Sequence, residues 1–355
     1  MKKILDFQAP PACWGNDSFE TCFHAANMYI DGRMTDGVRR CGQTKIDECG
    51  HCGLGQMYNT ILGWPFYRYA YDGPADKTRR YFDAFNKMGN RPKLLFGYAG
   101  YSYKTCNDSA QFKAELTASI DAGKPIIVEI TDEAYERNKT EFQLIIGYDG
   151  DELVTPLYRL GKLDEGVGLP YGSLVYSDIH ALYIFGDKIA PKFTFVDILK
   201  RNRAMIQANV EEKVWDKYLE EIELKFIKQE GSGKDRAYVF NEIKKATSRH
   251  MAAWDFGATH NDGLFAELHK GLFDTLTEAV QTQYNQIYKQ IWENNCEGMD
   301  IGHFVNHCHE CMNVIDGGCH FIYFGKMLVS IIERYRELDA ELLDLMNQLI
   351  DVFNK

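Results

Sequence analysis

The chain has 355 residues, 45% of them hydrophobic and 13% aromatic, which is enough for a sizeable core in one large or two ordinary domains. The formal net charge of −11 argues against a nucleic-acid partner, because phosphate binding needs clustered Lys and Arg. No apolar run of about 18 residues and no signal-peptide pattern occurs, and the ten cysteines then indicate reduced thiols, so we expect a cytoplasmic protein with no membrane partner.

Residues 16–32 predict a short helix with both ends marked. A side-chain oxygen near residue 16 can cap the first turn, and Gly32 suits the left-handed position after the last turn. The apolar positions follow helical spacing and share one face: Phe19, Cys22, Phe23, Ala26 and Ile30. Cys22 would then lie near the positive end of a helix, which favours a thiolate. A lone cysteine on an apolar face is also often a small buried core residue.

The segments around this helix are read from their composition. We expect residues 1–15 to be irregular, residues 33–60 to form glycine-rich turns, and residues 74–90 to be helical. Residues 94–99 predict a strand, and residues 108–123 predict a helix that stops at Gly123.

After Gly123 the hydrophobic pattern changes from that of a helix to that of strands. Strands are predicted over 125–131, 141–149, 152–156, 174–176 and 181–185, with a hairpin turn at Gly150. From residue 197 the pattern is helical, with Thr194 or Asp197 as a cap and predicted helices over 197–226, 235–256, 262–295, 300–315 and 320–353. The sequence therefore predicts an α+β domain with an antiparallel sheet over residues 1–190, followed by an all-helical bundle over residues 191–355.

A second group of chemically active residues lies in the helical part. His303, His307 and Cys311 share one helix face with the spacing of metal ligands. The chain has two Cys-x-x-Cys pairs, Cys308 with Cys311 and Cys49 with Cys52. They are far apart in the chain, and no compact zinc-ribbon spacing exists. Our prediction is therefore that the chain has no metal site and no cofactor.

Three motifs in the first part resemble those of a known family. They are Cys-Phe-His-Ala-Ala at 22–26, Lys-Pro-Ile-Ile-Val-Glu-Ile at 124–130, and Phe-Gln-Leu-Ile-Ile-Gly-Tyr-Asp at 142–149. Their order resembles the papain-like fold, in particular the C39-type cysteine peptidases and the BtrH N-terminal-like acyltransferases of antibiotic assembly. The resemblance covers roughly residues 10–190 and implies a papain-like domain there.

The resemblance also implies acyl transfer by a cysteine, a histidine and an orienting Asp or Asn. It makes Cys22 the nucleophile and Asn16, six residues earlier, the amide that stabilises the oxyanion; a plain helix cap is the alternative for Asn16. Two positions depart from the family pattern. Glu141 stands where the family has its histidine, and Thr155 and Pro156 stand where it has its orienting Asp.

The general base is therefore chosen from the remaining residues. His180 follows Cys22 in the chain in the required order, with Asp187 or Asp197 as its orienting group. Glu141 can serve instead if burial raises its pKa. His24 is two residues from Cys22 on the helix and points elsewhere.

The resemblance implies a cysteine-dependent acyltransferase that joins an acyl thioester, held by a carrier protein, to a small amine; the residues themselves supply a thiol carried by a helix. The resemblance places the amide product in antibiotic or nonribosomal peptide-type biosynthesis. Two alternatives stay open: a binding protein on a degenerate papain-like domain that has lost catalysis, and an intracellular cysteine peptidase. A homo-oligomer is compatible with the sequence.

Overall fold

The computed structural model describes residues 2–7, 18–32, 63, 66, 89–132, 139–155, 173–248, 272–312 and 318–354. The chain divides into two compact units: Met1–Tyr58 with Pro92–Phe193, and Asn59–Arg91 with Thr194–Lys355. Within the described helices, no segment is both long and apolar enough to cross a bilayer.

The first unit is a mixed α+β structure, as predicted. Its elements are β1 (Lys2–Ile4), α1 (Ser18–Ile30), α2 (Arg91–Ala99), β2 (Tyr101–Cys106), α3 (Ser109–Asp121), β3 (Ile126–Asp132), β4 (Lys139–Ile145), β5 (Gly147–Asp149), β6 (Glu152–Val154), β7 (Ser173–Leu174) and β8 (Ile179–Lys188). The strands form two antiparallel sheets, ordered β2-β8-β3-β4 and β1-β5-β6-β7. A papain-like identity for this unit stays a prediction.

The larger sheet is organised around β3, its most buried strand. The apolar run of β3 alternates between the two faces, as expected for a central strand. Ile126, Val128 and Ile130 share a core with three side chains of α3: Phe112, Leu116 and Ile120. Helix α3 matches its prediction, with Asp108 as the N-cap and Gly123 at φ +77° beyond its end.

The predicted strand over 141–149 is divided in the structure. Its first part, β4, pairs with β3 through Ile145 and Ile126, whereas its second part, β5, pairs with β1 in the smaller sheet. Gly147 stands at the division, and a Cβ atom there would lie 2.5 Å from the carbonyl oxygen of Lys3. A glycine at this position therefore lets β1 approach closely. Strand β1 was not predicted, because residues 1–15 were expected to be irregular.

The predicted strand over 94–99 is wrong, because this segment forms the end of helix α2. A short apolar run fits a buried helix as well as a buried strand, and here all residues from Leu95 to Ala99 are buried. Pro92 at the start of the helix is compatible with the first turn. Gly100, at φ +71°, ends the helix, and a Cβ atom there would lie 2.7 Å from the carbonyl oxygen of Ile189.

The described part of the second unit is helical. Its elements are α4 (Phe195–Glu211), α5 (Val214–Ile222) with a π-helical turn (Glu223–Ile227), α6 (Gly233–Ser248), α7 (Glu278–Met312) and α8 (Gly318–Val352). Thr194 caps α4 in a capping box with Asp197, as predicted for these two residues. The predicted helix over 197–226 is interrupted at Lys213, whose φ is +50°. Residues 278–312 form one continuous helix, so the predicted break near residue 300 is wrong.

Candidate functional site

The helix that carries Cys22 is fixed at its C-terminal end. Gly32, at φ +68°, adopts the left-handed conformation expected after a helix, and its N–H bonds the carbonyl of Tyr29 at 3.1 Å. Asp31 accepts hydrogen bonds from the Tyr101 hydroxyl and, at 3.0 Å, from the Lys188 ammonium. Because Tyr101 lies at the start of β2 and Lys188 at the end of β8, these contacts attach the end of α1 to the larger sheet.

The apolar face of α1 packs on the sheet through aromatic rings. Phe19 meets Phe142 and Tyr183 edge-on, with ring centroids 5.0 Å and 5.3 Å away. Phe23, one turn later, lies 4.9 Å from Phe96 and 5.4 Å from Phe185. Offset and edge-to-face pairs of this kind add to the free energy of simple burial, so α1 is held firmly over the sheet.

Cys22 belongs to this packed helix and is 3% exposed. It comes one turn after Phe19, in the first half of α1, and α1 contacts β4 and β3. The Cys22 side chain is therefore buried in the interior of the first unit. Cys106, the other described cysteine of this unit, is 5% exposed and belongs to the core shared with α3.

A second face of α1 carries buried polar side chains. Glu20, His24 and Asn27 follow i, i+4, i+7 spacing and are 1%, 6% and 1% exposed. Within the described residues the amide oxygen of Asn27 accepts no hydrogen bond. Three polar side chains on one helix face are therefore held in the interior of the unit, where buried polar groups are normally paired.

A carboxylate of the sheet also faces this helix. Glu129, in the middle of β3, accepts a 2.8 Å hydrogen bond from the hydroxyl of Tyr183 on β8, and both side chains are partly buried. Tyr183 in turn touches Phe19 in the first turn of α1. The pair therefore lies close to the N-terminal end of the helix that carries Cys22. Glu129 was not predicted from sequence; a single carboxylate inside a β-branched strand was the signal that could have revealed it.

The four residues chosen from sequence have different outcomes. Cys22 lies on α1 as expected, and Asn16 lies outside the described residues. His180 is exposed at the second position of β8, beside the bulge that shifts the register of β3 and β8. The backbone of Glu141 lies in β4 opposite Ile130, and the following residue, Phe142, supplies the ring that contacts α1. His24 joins Cys22 on the helix, but on the polar face described above.

The proposed orienting group Asp197 has another role. Its carboxylate accepts hydrogen bonds from the backbone N–H and the hydroxyl of Thr194, at 2.7 Å and 2.8 Å, and so caps α4. Asp187, the alternative, places its backbone N–H 2.9 Å from the Ser102 hydroxyl.

The candidate metal ligands His303, His307 and Cys311 lie on α7. His303 and His307 are both exposed, whereas the side chain of Cys311 and the pair Cys49 and Cys52 lie outside the described parts. Across the described residues, no group of three or more His, Cys, Asp or Glu side chains is arranged to hold a metal ion.

Comparisons with known proteins identify no relative. No protein-family model matches the chain, and neither the curated proteins nor the solved structures include a significant match.

Proposed function

We propose that the protein is a cysteine-dependent acyltransferase with Cys22 as its nucleophile. The observation that carries the proposal is the position of Cys22 in the first half of α1, which packs over the sheet beside the Glu129–Tyr183 pair. A thiol there benefits from the positive end of the helix. The resemblance to BtrH N-terminal-like acyltransferases supports the same reaction, with a carrier-bound acyl thioester as donor and an amine as acceptor.

The proposed reaction has two steps, acylation of Cys22 and transfer of the acyl group to the amine. The Cys22 thiolate attacks the thioester carbonyl of the donor, the carbon–sulfur bond to the carrier breaks, and the carrier leaves as a thiol after taking up a proton. The amine then attacks the acyl-Cys22 thioester, gives up a proton, and leaves as an amide while the Cys22 thiolate is released. Burial of the thiol disfavours water as the second nucleophile, which favours transfer over hydrolysis.

Proton transfer in this proposal is assigned to Glu129. Its carboxylate lies on the sheet under the N-terminal end of α1, and the Tyr183 hydroxyl fixes its orientation at 2.8 Å. A positioned carboxylate can accept the proton of a thiol or amine within hydrogen-bond reach or through one water. His180 and Glu141 remain the sequence-based alternatives for this role, and the same assay compares all three.

The experiment is acylation by small thioesters. The reduced protein is incubated with N-acetylcysteamine thioesters of acetyl, hexanoyl and aminoacyl groups, and the intact mass and the modified peptide are determined. We expect one acyl group on Cys22 in the wild type, none there in Cys22→Ala, and unchanged acylation of Cys22 in Cys106→Ala. Addition of a simple amine such as glycine methyl ester should then release the acyl group as an amide.

Equal labelling of Cys22 and Cys106, or labelling only after denaturation, would refute the proposal. Glu129→Gln, His180→Ala and Glu141→Gln are compared in the same assay. We expect the first to slow acylation at least tenfold, because a general base typically contributes about 10²-fold or more. A binding protein is the second candidate, favoured by the low exposure of Cys22, 3%, and by the exposed position of His180.

A further inference from the structure

The C-terminal half of α7 has an exposed face with two histidines. His303 and His307 are four residues apart on a continuous helix, so their side chains lie on the same face one turn apart. Val305 and Cys308, between and beside them, are buried and hold the opposite face of the helix in the core of the unit. The two imidazoles are therefore presented to solvent by a fixed backbone.

The ring of His307 is held by a backbone contact. Its Nδ1 atom lies 2.8 Å from the carbonyl oxygen of His303. Because a carbonyl can only accept, Nδ1 donates in this contact, which leaves Nε2 as the ring nitrogen available to a metal ion. Metal-bound histidines usually have this arrangement, in which one ring nitrogen donates to a backbone carbonyl and the other binds the ion.

We propose that His303 and His307 form a surface site for a borderline divalent transition-metal ion, with water in the remaining positions. Two histidines at i, i+4 on one helix face are the spacing with which helices bind zinc. Imidazole suits Zn²⁺, Ni²⁺ and Cu²⁺, and the affinity of a given site rises from Ni²⁺ to Cu²⁺. Asp300, exposed one turn before His303, adds negative charge near the site. The site is separate from the acyltransferase reaction proposed above.

The site is open and holds only two ligands from the described residues. This agrees with the finding that no group of three or more His, Cys, Asp or Glu side chains is arranged around a metal there. A two-histidine site therefore differs from a closed structural zinc site, which has four protein ligands and contributes directly to folding. We accordingly expect reversible binding and an unchanged fold when the metal is removed.

The test uses Ni²⁺-nitrilotriacetate, a chelate with two open coordination positions that match two imidazoles. Untagged protein, with its accessible thiols blocked by N-ethylmaleimide, is titrated calorimetrically. His303→Ala and His307→Ala are compared with His320→Ala, a matched control on an exposed histidine at the start of α8. We expect each of the first two to weaken binding by about tenfold or more, because the second ligand acts at high effective concentration, and the control to bind as the wild type does.

A second measurement reports the ligands directly. Electron paramagnetic resonance of the Cu²⁺-loaded protein should show two nitrogen ligands in the wild type and in His320→Ala, and a changed signal in His307→Ala. Circular dichroism confirms that each variant is folded. Equal affinity of His303→Ala, His307→Ala and the wild type for the nickel chelate would overturn the proposal, as would loss of binding in His320→Ala alone.

Discussion

The hydroxyl of Tyr183 donates a 2.8 Å hydrogen bond to the carboxylate of Glu129, and this contact joins the neighbouring strands β8 and β3 beneath α1. Tyr183 also lies edge-on to Phe19 of the helix, 5.3 Å between ring centroids. One side chain thus links the carboxylate to the first turn of α1. Its removal should affect both the stability of the unit and the orientation of Glu129.

We expect Tyr183→Phe to lower the free energy of unfolding by about 1–2 kcal/mol, because a hydrogen bond to a charged group is lost while the ring contacts remain. Urea unfolding followed by circular dichroism measures this. Tyr103→Phe is the control, since Tyr103 stacks on Phe96 at 4.5 Å and its hydroxyl has no hydrogen bond to a described residue. Equal stability of the two variants would show that the Tyr183–Glu129 bond contributes nothing.

Gly147 is expected to be intolerant of any side chain. A Cβ atom there would lie 2.5 Å from the Lys3 carbonyl oxygen and 2.8 Å from the Ile4 Cα atom, which are backbone atoms of β1. Gly147→Ala should therefore displace β1 and cost about 1–3 kcal/mol of unfolding free energy, as overpacking does. Hydrogen exchange of the β1 amides locates the damage.

Gly233→Ala provides the matched control for that substitution. Gly233 begins α6, and a Cβ atom there has open space around it. Alanine favours helix more than glycine does, so this variant should be as stable as the wild type or slightly more stable. Equal destabilisation by both substitutions would contradict the close-approach explanation for Gly147.

A buried hydrogen bond in the helical unit gives a third prediction. The indole N–H of Trp215 lies 2.7 Å from the carboxylate of Asp339, and both residues are buried. Asp339→Ala leaves the indole donor without this acceptor and should cost about 2–4 kcal/mol. Asp339→Asn keeps an acceptor and should cost less than half as much, whereas Asp344→Ala, at an exposed position of the same helix, should change stability little. Thermal and urea unfolding rank the three.

The acidic residues around Arg334 give a pH-dependent prediction. Arg334 bonds Glu297 through two nitrogens at 2.6 Å and 2.8 Å, and also contacts Glu337 and Glu341. The hydrogen bond from Arg334 lowers the pKa of Glu297 below its ordinary value. A lowered pKa in the folded state contributes stability above the pKa of the unfolded chain, and this contribution is lost as the pH falls through the folded-state pKa.

We therefore expect Glu297→Gln to destabilise the protein at pH 7 and to have a smaller effect in acid, as the pH falls through the lowered folded-state pKa of Glu297 and the wild-type carboxyl is protonated. The side chains of Arg334 and Glu297 are 32% and 45% exposed. The loss of unfolding free energy in Glu297→Gln at pH 7 should therefore be at most about 1 kcal/mol. Denaturant unfolding at pH 7 and in acid measures it. Glu333→Gln, an exposed residue of α8, should show no such trend; the same loss at both pH values for Glu297→Gln would contradict the prediction.

Helices with a capping residue or a glycine at their ends were predicted from local sequence signals. Helix α1 begins after polar residues and ends before Gly32, and α3 begins at the cap Asp108 and ends before Gly123. The capping box of Thr194 and Asp197 likewise starts α4 as expected. These signals are local because a cap or a left-handed glycine satisfies backbone groups only a few residues away.

Segments that are buried on all sides were harder to predict. The residues of α2 from Leu95 to Ala99 are all buried, so their sequence shows no helical or strand period to distinguish the two. The single apolar run over 141–149 divides between two sheets because β1, more than a hundred residues away in the chain, approaches at Gly147.

The sequence by itself determined the α+β class of the first unit, the helical character of the second, and the helix that carries Cys22. It did so because apolar periodicity and caps are properties of neighbouring residues. The tertiary structure alone decided that Glu129 and Tyr183, 54 residues apart, bond beneath α1, and that Glu20, His24 and Asn27 are buried. Strand register and burial depend on contacts between distant segments, which no local pattern specifies.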